Sequence, residues 1–369
     1  MRTVVFVFDY VMHYHREMLR AVEAHLNQRG IRFVLLTARH RELGAGRTPL
    51  RDNVVAEQGQ YSLVEKRLGG FTLRHQSGVV SEIKRLSPSV VVTMCHSGTL
   101  SEWLIARLKR RLGFRLVAWQ CGYEYNPGRL KDTILSAFVP NFDHHLAYHS
   151  NARDYAIKYG ATPEQITVMH NTINEQLIQC SPKNEARERI AQKHPSLQGR
   201  HIVLYVGAVL EEKRLELAVD ALDLLTNLDV SLVVVGDGPH LAHLQAITAH
   251  RTDVVFAGRV VDGVGLYFDA ADVFLLPGTG GLALNEAMAH SLPLISGYAD
   301  GSADDLVVDG VNGFRLHDVT PRGIAEKVSA LVTDRELNAK MGQASHELIT
   351  SKYSFERFIQ RVVTVLEAA

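Results

Sequence analysis

Apolar runs of four to six residues alternate along this chain with segments whose apolar positions recur every three or four residues. In the first half the runs 3–8 (TVVFVF), 32–37, 90–94, 115–119 and 145–148 predict buried strands. The second half restarts the pattern with 201–206, 230–235, 254–256, 273–276, 292–295 and 313–316. Between the early runs, 15–29 (HREMLRAVEAHLNQR) has a helical period closed by Gly30, and 100–112 behaves alike. Segments 215–225, 239–250, 264–270, 282–289, 324–333, 336–351 and 355–368 are the predicted helices of the second half. Strand and helix alternating in both halves predict an α/β chain with two parallel sheets, each covered on both faces. Residues 39–78 follow neither period and predict loops. The polar stretch 173–199, with Pro182 and Pro195, predicts a linker.

A chain of 369 residues exceeds one ordinary core, so two domains of about 170–190 residues are expected. With 46% hydrophobic and 22% charged residues, a disordered class is excluded. No apolar run is long enough to span a bilayer, and MRTVVFVFDY lacks a cleavage pattern, so it predicts a first strand and not a signal peptide. Cys95, Cys121 and Cys180 are unclustered, which gives no disulfide framework or zinc motif and fits a reducing cytosol. Charge is uneven beneath a net of zero. Residues 1–180 carry 23 Lys+Arg against 15 Asp+Glu (+8), and residues 181–369 carry 17 against 25 (−8). That split favours an anionic partner for the first half and argues against a nucleic-acid binder.

The densest chemistry lies in 268–314. The predicted strand 273–276 breaks at Pro277, and Gly278, Thr279, Gly280 and Gly281 lead into a helix that begins at Leu282 and carries Glu286. A small-residue loop before a helix N-terminus suits an anion, through open N–H groups and the helix dipole. A carboxylate one turn inside suits the paired hydroxyls of a sugar. Phosphate beside sugar points to a nucleotide; an ordinary strand-to-helix turn with a solvated Glu fits the same residues.

The ordered motifs VMHNTIN (168–174), YVGAVLEEKRLELAVDAL (205–222), VVVGDGP (233–239), VVFAGRV (254–260), YFDAADVFLLPG (267–278) and GLALNEAMAHSLPLIS (281–296) make the chain similar to the retaining glycosyltransferases of family 4. The resemblance implies the GT-B architecture, two Rossmann-like domains facing across a cleft. It implies an acceptor domain over 1–175, a nucleotide-sugar domain over 176–354 and a helix at 355–369 packed back on the first. It also implies no cofactor beyond the nucleotide-diphosphate sugar donor, and no catalytic metal. Gly207, Gly236 and Asp237 are then expected beside the nucleotide, Arg259 and Val260 along the base, Glu286 on the ribose and Lys213 on the diphosphate. Three departures stand out. Gly278 occupies the place of the family's first Glu, Ala208 the place of an Arg, and Cys121 the place of a His. Amides of 278–281 could hold the donor instead.

In the first half, Glu124 and His96 are candidates near an acceptor hydroxyl, with a solvated loop carboxylate as the plain alternative for Glu124. His13, His15 and Arg16 would suit an anionic acceptor such as a lipid-linked diphosphate. Asp143, His144, His145 and His149 do not predict a metal site, because neighbouring strand residues point to opposite faces. Residues 102–115 (EWLIARLKRRLGFR) set Lys109, Arg110, Arg111 and Arg115 beside Trp103, Leu104, Ile105 and Leu108, a pattern fit for an anionic membrane surface. These features lead to one expectation: a cytoplasmic transferase, peripheral on the inner membrane face, acting on a glycolipid or polysaccharide precursor. The competing reading is a catalytically silent GT-B protein that binds nucleotide or glycan. A sugar-phosphate transferase or epimerase fits the second-half motifs less well. A dehydrogenase fails for want of a glycine-rich turn in VFDYVMHYHR.

Overall fold

Runs of Val, Leu and Phe that can hide both faces become the inner strands of two sheets. The computed structural model describes residues 1–39, 50, 52–68, 71–122, 128–297 and 301–368. They divide into one unit of residues 1–171 with 356–369 and another of residues 172–355.

The first unit holds β1 (Thr3–Phe8), β2 (Arg32–Ala38), β3 (Gln58–Leu68), β4 (Phe71–Ser77), β5 (Val90–Thr93), β6 (Arg115–Gln120), β7 (His144–Ala147) and β8 (Ile166–Val168). Their order is β4-β3-β2-β1-β5-β6-β7-β8, parallel throughout except for β3 against β4. Every residue of β1 and β5 is buried, as a central parallel strand requires. Within the stretch 39–78, where loops are expected, the antiparallel pair takes up 58–68 and 71–77. Its period is hidden by charges on the exposed side, where Glu65 faces Arg74 across the pair at 2.6 Å. Residues 356–369 close this unit from the other end of the chain. In helix Phe355–Glu367, the Val365 carbonyl accepts from the Arg115 guanidinium at 2.8 Å, and the Phe358 ring meets Trp119 edge-on at 6.2 Å.

Helix Leu100–Leu112 departs from the predicted membrane face. Ile105, Ala106 and Leu108 enter the core, and Trp103 packs on Phe138 at 4.7 Å. Glu102 is buried, Lys109 is paired with Asp143 at 2.8 Å, and Arg115 serves the C-terminal helix. The apolar side therefore belongs to the core, and the exposed residues are Leu100, Leu104, Arg107, Arg110, Arg111 and Leu112. Among the described residues no helix is long and apolar enough to cross a membrane.

The second unit holds β9 (His201–Val206), β10 (Val230–Val235), β11 (Val254–Gly258), β12 (Val273–Leu276), β13 (Leu294–Ser296) and β14 (Gly313–Arg315), all parallel. Their order, β11-β10-β9-β12-β13-β14, is that of a Rossmann sheet. The chain runs outward from β9 to β11, then crosses back to β12, so the crossover directions reverse between β9 and β12. Beyond the carboxyl ends of those two strands lies the crevice in which such sheets take ligands. The expected linker 173–199 instead contains helix Lys183–Lys193, tied to this unit by Lys183 and Arg187 on Asp272. Only Ala186 and Ile190 of that helix are buried, too thin a stripe to register as a period.

Candidate functional site

Four strand ends bring backbone to backbone at the β9/β12 reversal. Gly207 follows β9 and Gly236 follows β10, and a Cβ on Gly236 would stand 1.8 Å from the Gly207 carbonyl oxygen. Gly236 has φ +146 and donates its N–H to the Gly258 carbonyl at 2.8 Å. Only glycine fits there. A Cβ on Gly278, after β12, would meet the Glu212 carbonyl oxygen at 2.1 Å and the Lys213 backbone at 2.7 Å. At Gly236 and Gly278 main chain thus closes on main chain and leaves a side chain no room.

Lys213 ends the short 3-10 turn Glu211–Lys213 and reaches over the glycine loop. Its Nζ donates to the Thr279 carbonyl, stands 3.4 Å from Thr279 Oγ1 and lies 3.7 Å from where a Gly280 Cβ would be. Thr279 N–H is committed to the Glu212 carbonyl at 3.2 Å, so it is not among the amides open to a donor. Gly280 and Gly281 make no backbone N–H hydrogen bond among the described residues, and Gly281 precedes helix Leu282–Ala289 without a side-chain cap. One ammonium and a short row of open amides at a helix start therefore converge on a single spot. Leu282, half-buried, opens the helix.

Gly278 also accounts for the missing family carboxylate. Because the backbone at 212–213 has closed onto position 278, a Glu there could not be accommodated without moving the Lys213 turn. The absence of a side chain at 278 is built into the packing. The backbone carbonyl of Ala208 accepts from Tyr205 Oη at 2.8 Å, a bond that any residue at this position could make, and nothing in the structure explains the alanine.

Glu286 is half-buried and lines a cavity of about 310 Å³ with Arg189, Gly263, Gly265, Asp269 and His290. Burial raises its carboxyl above the ordinary range, and the neighbouring His290 offsets part of that rise. His290 is itself held by Asp269 at 2.6 Å and stacked on Phe268. Arg189, Asp269 and His290 were not singled out from sequence. The available signal was the four-residue spacing of Glu286 and His290, which puts both on one helix face. Asp237 is exposed, and its carboxylate accepts the Gly238 N–H at 2.7 Å. Arg259 is exposed just beyond β11, whereas Val260 packs on the core.

In the first unit the expected acceptor cluster is corrected in part. His15 is buried, accepts the Met12 N–H at 3.2 Å on Nδ1, and is held near pKa 4 by burial and then by His13. It is a neutral structural imidazole and no cationic contact. Arg16 is paired with Asp52 at 2.9 Å. His96 Nδ1 stands 3.9 Å from the buried Asp9 carboxylate. Glu124 lies outside the described residues. His144 and His145 point to opposite sides of β7, onto Thr167 Oγ1 and Gln120 Oε1, both at 2.9 Å.

Sulfoquinovosyl transferase SQD2 of Arabidopsis thaliana is 30% identical over 177 residues, 46% of this chain and 33% of that protein. The GDP-mannose-dependent alpha-(1-6)-phosphatidylinositol monomannoside mannosyltransferase of Mycobacterium tuberculosis is 29% identical over 151 residues, 37% of this chain and 39% of that protein. The chain thus spans about a third to three fifths of the length of the curated relatives it matches. Among solved structures, Anabaena HepE in complex with UDP superposes over 100% of both chains with a TM-score of 0.77 at 16% identity, a likeness of fold. Residues 18–177 match the sequence model of glycosyltransferase family 4, and residues 186–348 match that of the glycosyl transferases group 1. The two stretches take in most of the sequence, and the chain belongs to the group 1 glycosyltransferases of GT-B fold.

Proposed function

We propose that this chain is a retaining glycosyltransferase that moves one hexose-type residue from a nucleotide-diphosphate sugar onto a glycolipid or polysaccharide-precursor acceptor. The observation that carries the proposal is the Lys213 ammonium held against the Thr279–Gly281 loop at the start of helix Leu282–Ala289. A point charge and open amides there would stabilise the departing nucleoside diphosphate as negative charge builds on it. Gly207, Gly236 and Asp237 would border the nucleotide, Arg259 and Val260 the base, and Glu286 the ribose hydroxyls. In a front-face displacement the sugar's anomeric C–O bond to phosphate breaks, and the acceptor oxygen bonds to the same face. The acceptor's proton passes to a phosphate oxygen of the leaving diphosphate. No cofactor and no catalytic metal enters this scheme. The relatives' names support the donor and acceptor classes: one uses GDP-mannose on a phosphatidylinositol mannoside, and a protein of similar fold binds UDP.

The second reading, a silent nucleotide or glycan binder, draws on Ala208, Gly278 and Cys121, where the family's usual charged groups are absent. Turnover separates the two. UDP-, GDP- and dTDP-sugars are screened for a thermal shift, and the stabilising donor is incubated with and without glycolipid acceptors. Release of nucleoside diphosphate with formation of a product that keeps the donor's anomeric configuration supports the transferase. Binding with neither transfer nor slow hydrolysis identifies the silent binder, and an inverted product removes the retaining mechanism.

A further inference from the structure

Beside the glycine-lined edge stands a second constellation that the transferase reading does not use. Helix Leu215–Leu222 starts two residues after Lys213, and its Glu216 meets two imidazoles from the segment that follows β10. His240 precedes helix Leu241–Ile247, and His243 lies in that helix's first turn. His240 Nε2 is hydrogen-bonded to Glu216 Oε1, and His243 Nε2 stands 3.8 Å from the same oxygen. The two rings are 4.8 Å apart between centroids and tilted by 39°. One ligand atom of each of the three residues lies within 4.8 Å of the others. Glu216 and His240 are half-buried and His243 is exposed, so one side is open to water.

A carboxylate–imidazole pair needs only one histidine. The second ring, turned onto the same oxygen, adds a like charge if both are protonated, which is unfavourable. Neutral rings offer two lone pairs instead, and a divalent ion would join them to the carboxylate. Ligand bonds of about 2.0–2.2 Å to zinc are within reach of atoms this close after small side-chain rotations. Two imidazoles with one carboxylate suit zinc, cobalt or nickel, whereas magnesium and calcium favour all-oxygen sites.

We propose that Glu216, His240 and His243 form a binding site for a divalent transition-metal ion of the zinc type. His240 N–H donates to the Val209 carbonyl at 3.2 Å, and Val209 N–H donates to the Asp237 carbonyl at 3.0 Å. A bound ion would therefore tie the turn after β10 to the helix after β9, stiffening the segment that carries Gly236 and Asp237. The site stands independently of the transferase proposal, since it is tested without nucleotide or sugar.

The other convergent group, Cys180, Asp269 and His290, is already satisfied. Cys180 Sγ at 3.6 Å and Asp269 Oδ1 at 2.6 Å share one nitrogen, His290 Nδ1, while Asp269 Oδ2 takes the Ser181 N–H at 2.8 Å. Burial, with Asp269 alongside, holds the thiol protonated. It serves as the control.

The chain is stripped with a chelator, dialysed and titrated with Co²⁺ while visible absorption is followed. The expected result is a saturable d–d band, displaced by Zn²⁺, without the near-ultraviolet band of a thiolate ligand. His243→Ala and Glu216→Gln each weaken Co²⁺ binding by more than about tenfold, and the exposed His250→Ala leaves it unchanged. Zn²⁺ should raise the unfolding temperature of the unmodified chain and not that of His243→Ala. No saturable band, equal affinity in His243→Ala, or a thiolate band lost in Cys180→Ser would each overturn the assignment.

Discussion

The two sheets share a parallel core and a first strand flanked by its second strand and a crossover partner, yet their carboxyl edges are finished in opposite ways. After β1 comes Asp9, buried, accepting from Tyr61 Oη at 2.8 Å and Gln76 Nε2 at 2.7 Å. Ser101 and Gln76 bond to each other, and Glu102 takes Thr93 Oγ1 at 2.9 Å and the His96 N–H at 3.1 Å. After β9, β10 and β12 come Gly207, Gly236 and Gly278, packed so tightly that no Cβ fits at the last two. One edge is closed by acidic side chains, and the other is left as bare backbone under a lysine. The contrast favours the second edge for a diphosphate: bare amides and Lys213 would attract it, and the buried acidic side chains of the first edge offer it no positive charge.

The largest expected effect comes from giving the second edge a side chain like those of the first. Gly278→Glu supplies the carboxylate usual in the family, but its Cβ would be driven into the Glu212 carbonyl. The second unit should lose about 3 kcal/mol or more of stability, measured by denaturant unfolding, and donor binding should fall with it. A stable Gly278→Glu protein with faster transfer would break the claim that the backbone has replaced the carboxylate.

Removing the charge from the bare edge is the next test. Lys213→Ala should weaken nucleoside diphosphate binding by about 1.5–3 kcal/mol in calorimetry, the range for a hydrogen bond to a charged group. Because Lys213 now donates to the Thr279 carbonyl, the loop loses a tether as well. A Lys213→Arg variant with near-normal affinity would assign the effect to charge; unchanged affinity in Lys213→Ala would remove Lys213 from the site.

The acidic edge makes its own prediction through pH. Burial, then Asp9, pushes the Glu102 carboxyl up to about 8 from an unfolded value near 4.5, and its Oε1 has no hydrogen-bond partner. The folded state therefore holds a proton that the unfolded state has shed. Its stabilising effect is full below about pH 4.5 and is lost as pH rises toward 8. His15, His144 and His145, each depressed to about 4 by burial, act in the other direction: their contribution is present above 6.5 and is lost as pH falls toward 4. The first unit should be most stable near pH 6.5 and lose up to about 2 kcal/mol by pH 8. Glu102→Gln should flatten that alkaline limb, and a limb that persists would acquit Glu102.

Legibility followed the physics of each region. Bare glycines and a lone Lys after apolar strands leave a sequence trace, so Gly207, Gly236, Lys213 and the 278–281 loop could be singled out; Gly236 lies against Gly207, and Lys213 against Gly278 and Thr279. What position 278 packs against could not be, because the Glu212 group that excludes a side chain is a backbone carbonyl 66 residues away, which no residue type reveals. The β3–β4 pair was hidden by charges on its exposed face, and helix Lys183–Lys193 by a stripe of only two buried residues. Burial also changed the meaning of side chains that look catalytic in one dimension. His15 proved a neutral bonding partner, and Glu102, placed by its neighbours in a basic surface helix, proved the buried carboxyl of the first unit.

The smallest effect concerns what is left of that basic helix. With Trp103, Ile105, Leu108 and Lys109 turned inward or paired, only Leu100, Leu104, Arg107, Arg110, Arg111 and Leu112 can meet a surface. Two leucines one turn apart beside three guanidinium groups can rest on anionic headgroups without inserting deeply. Each arginine replaced by glutamine should weaken co-sedimentation with phosphatidylserine vesicles by about fivefold, and added salt should do the same. The buried edge supplies the internal control. Glu102→Gln sits on the same helix behind the core and should leave vesicle binding unchanged. If instead the unmodified chain ignores anionic vesicles, this helix serves only the first unit's core, and an acceptor would have to reach the protein without help from this face.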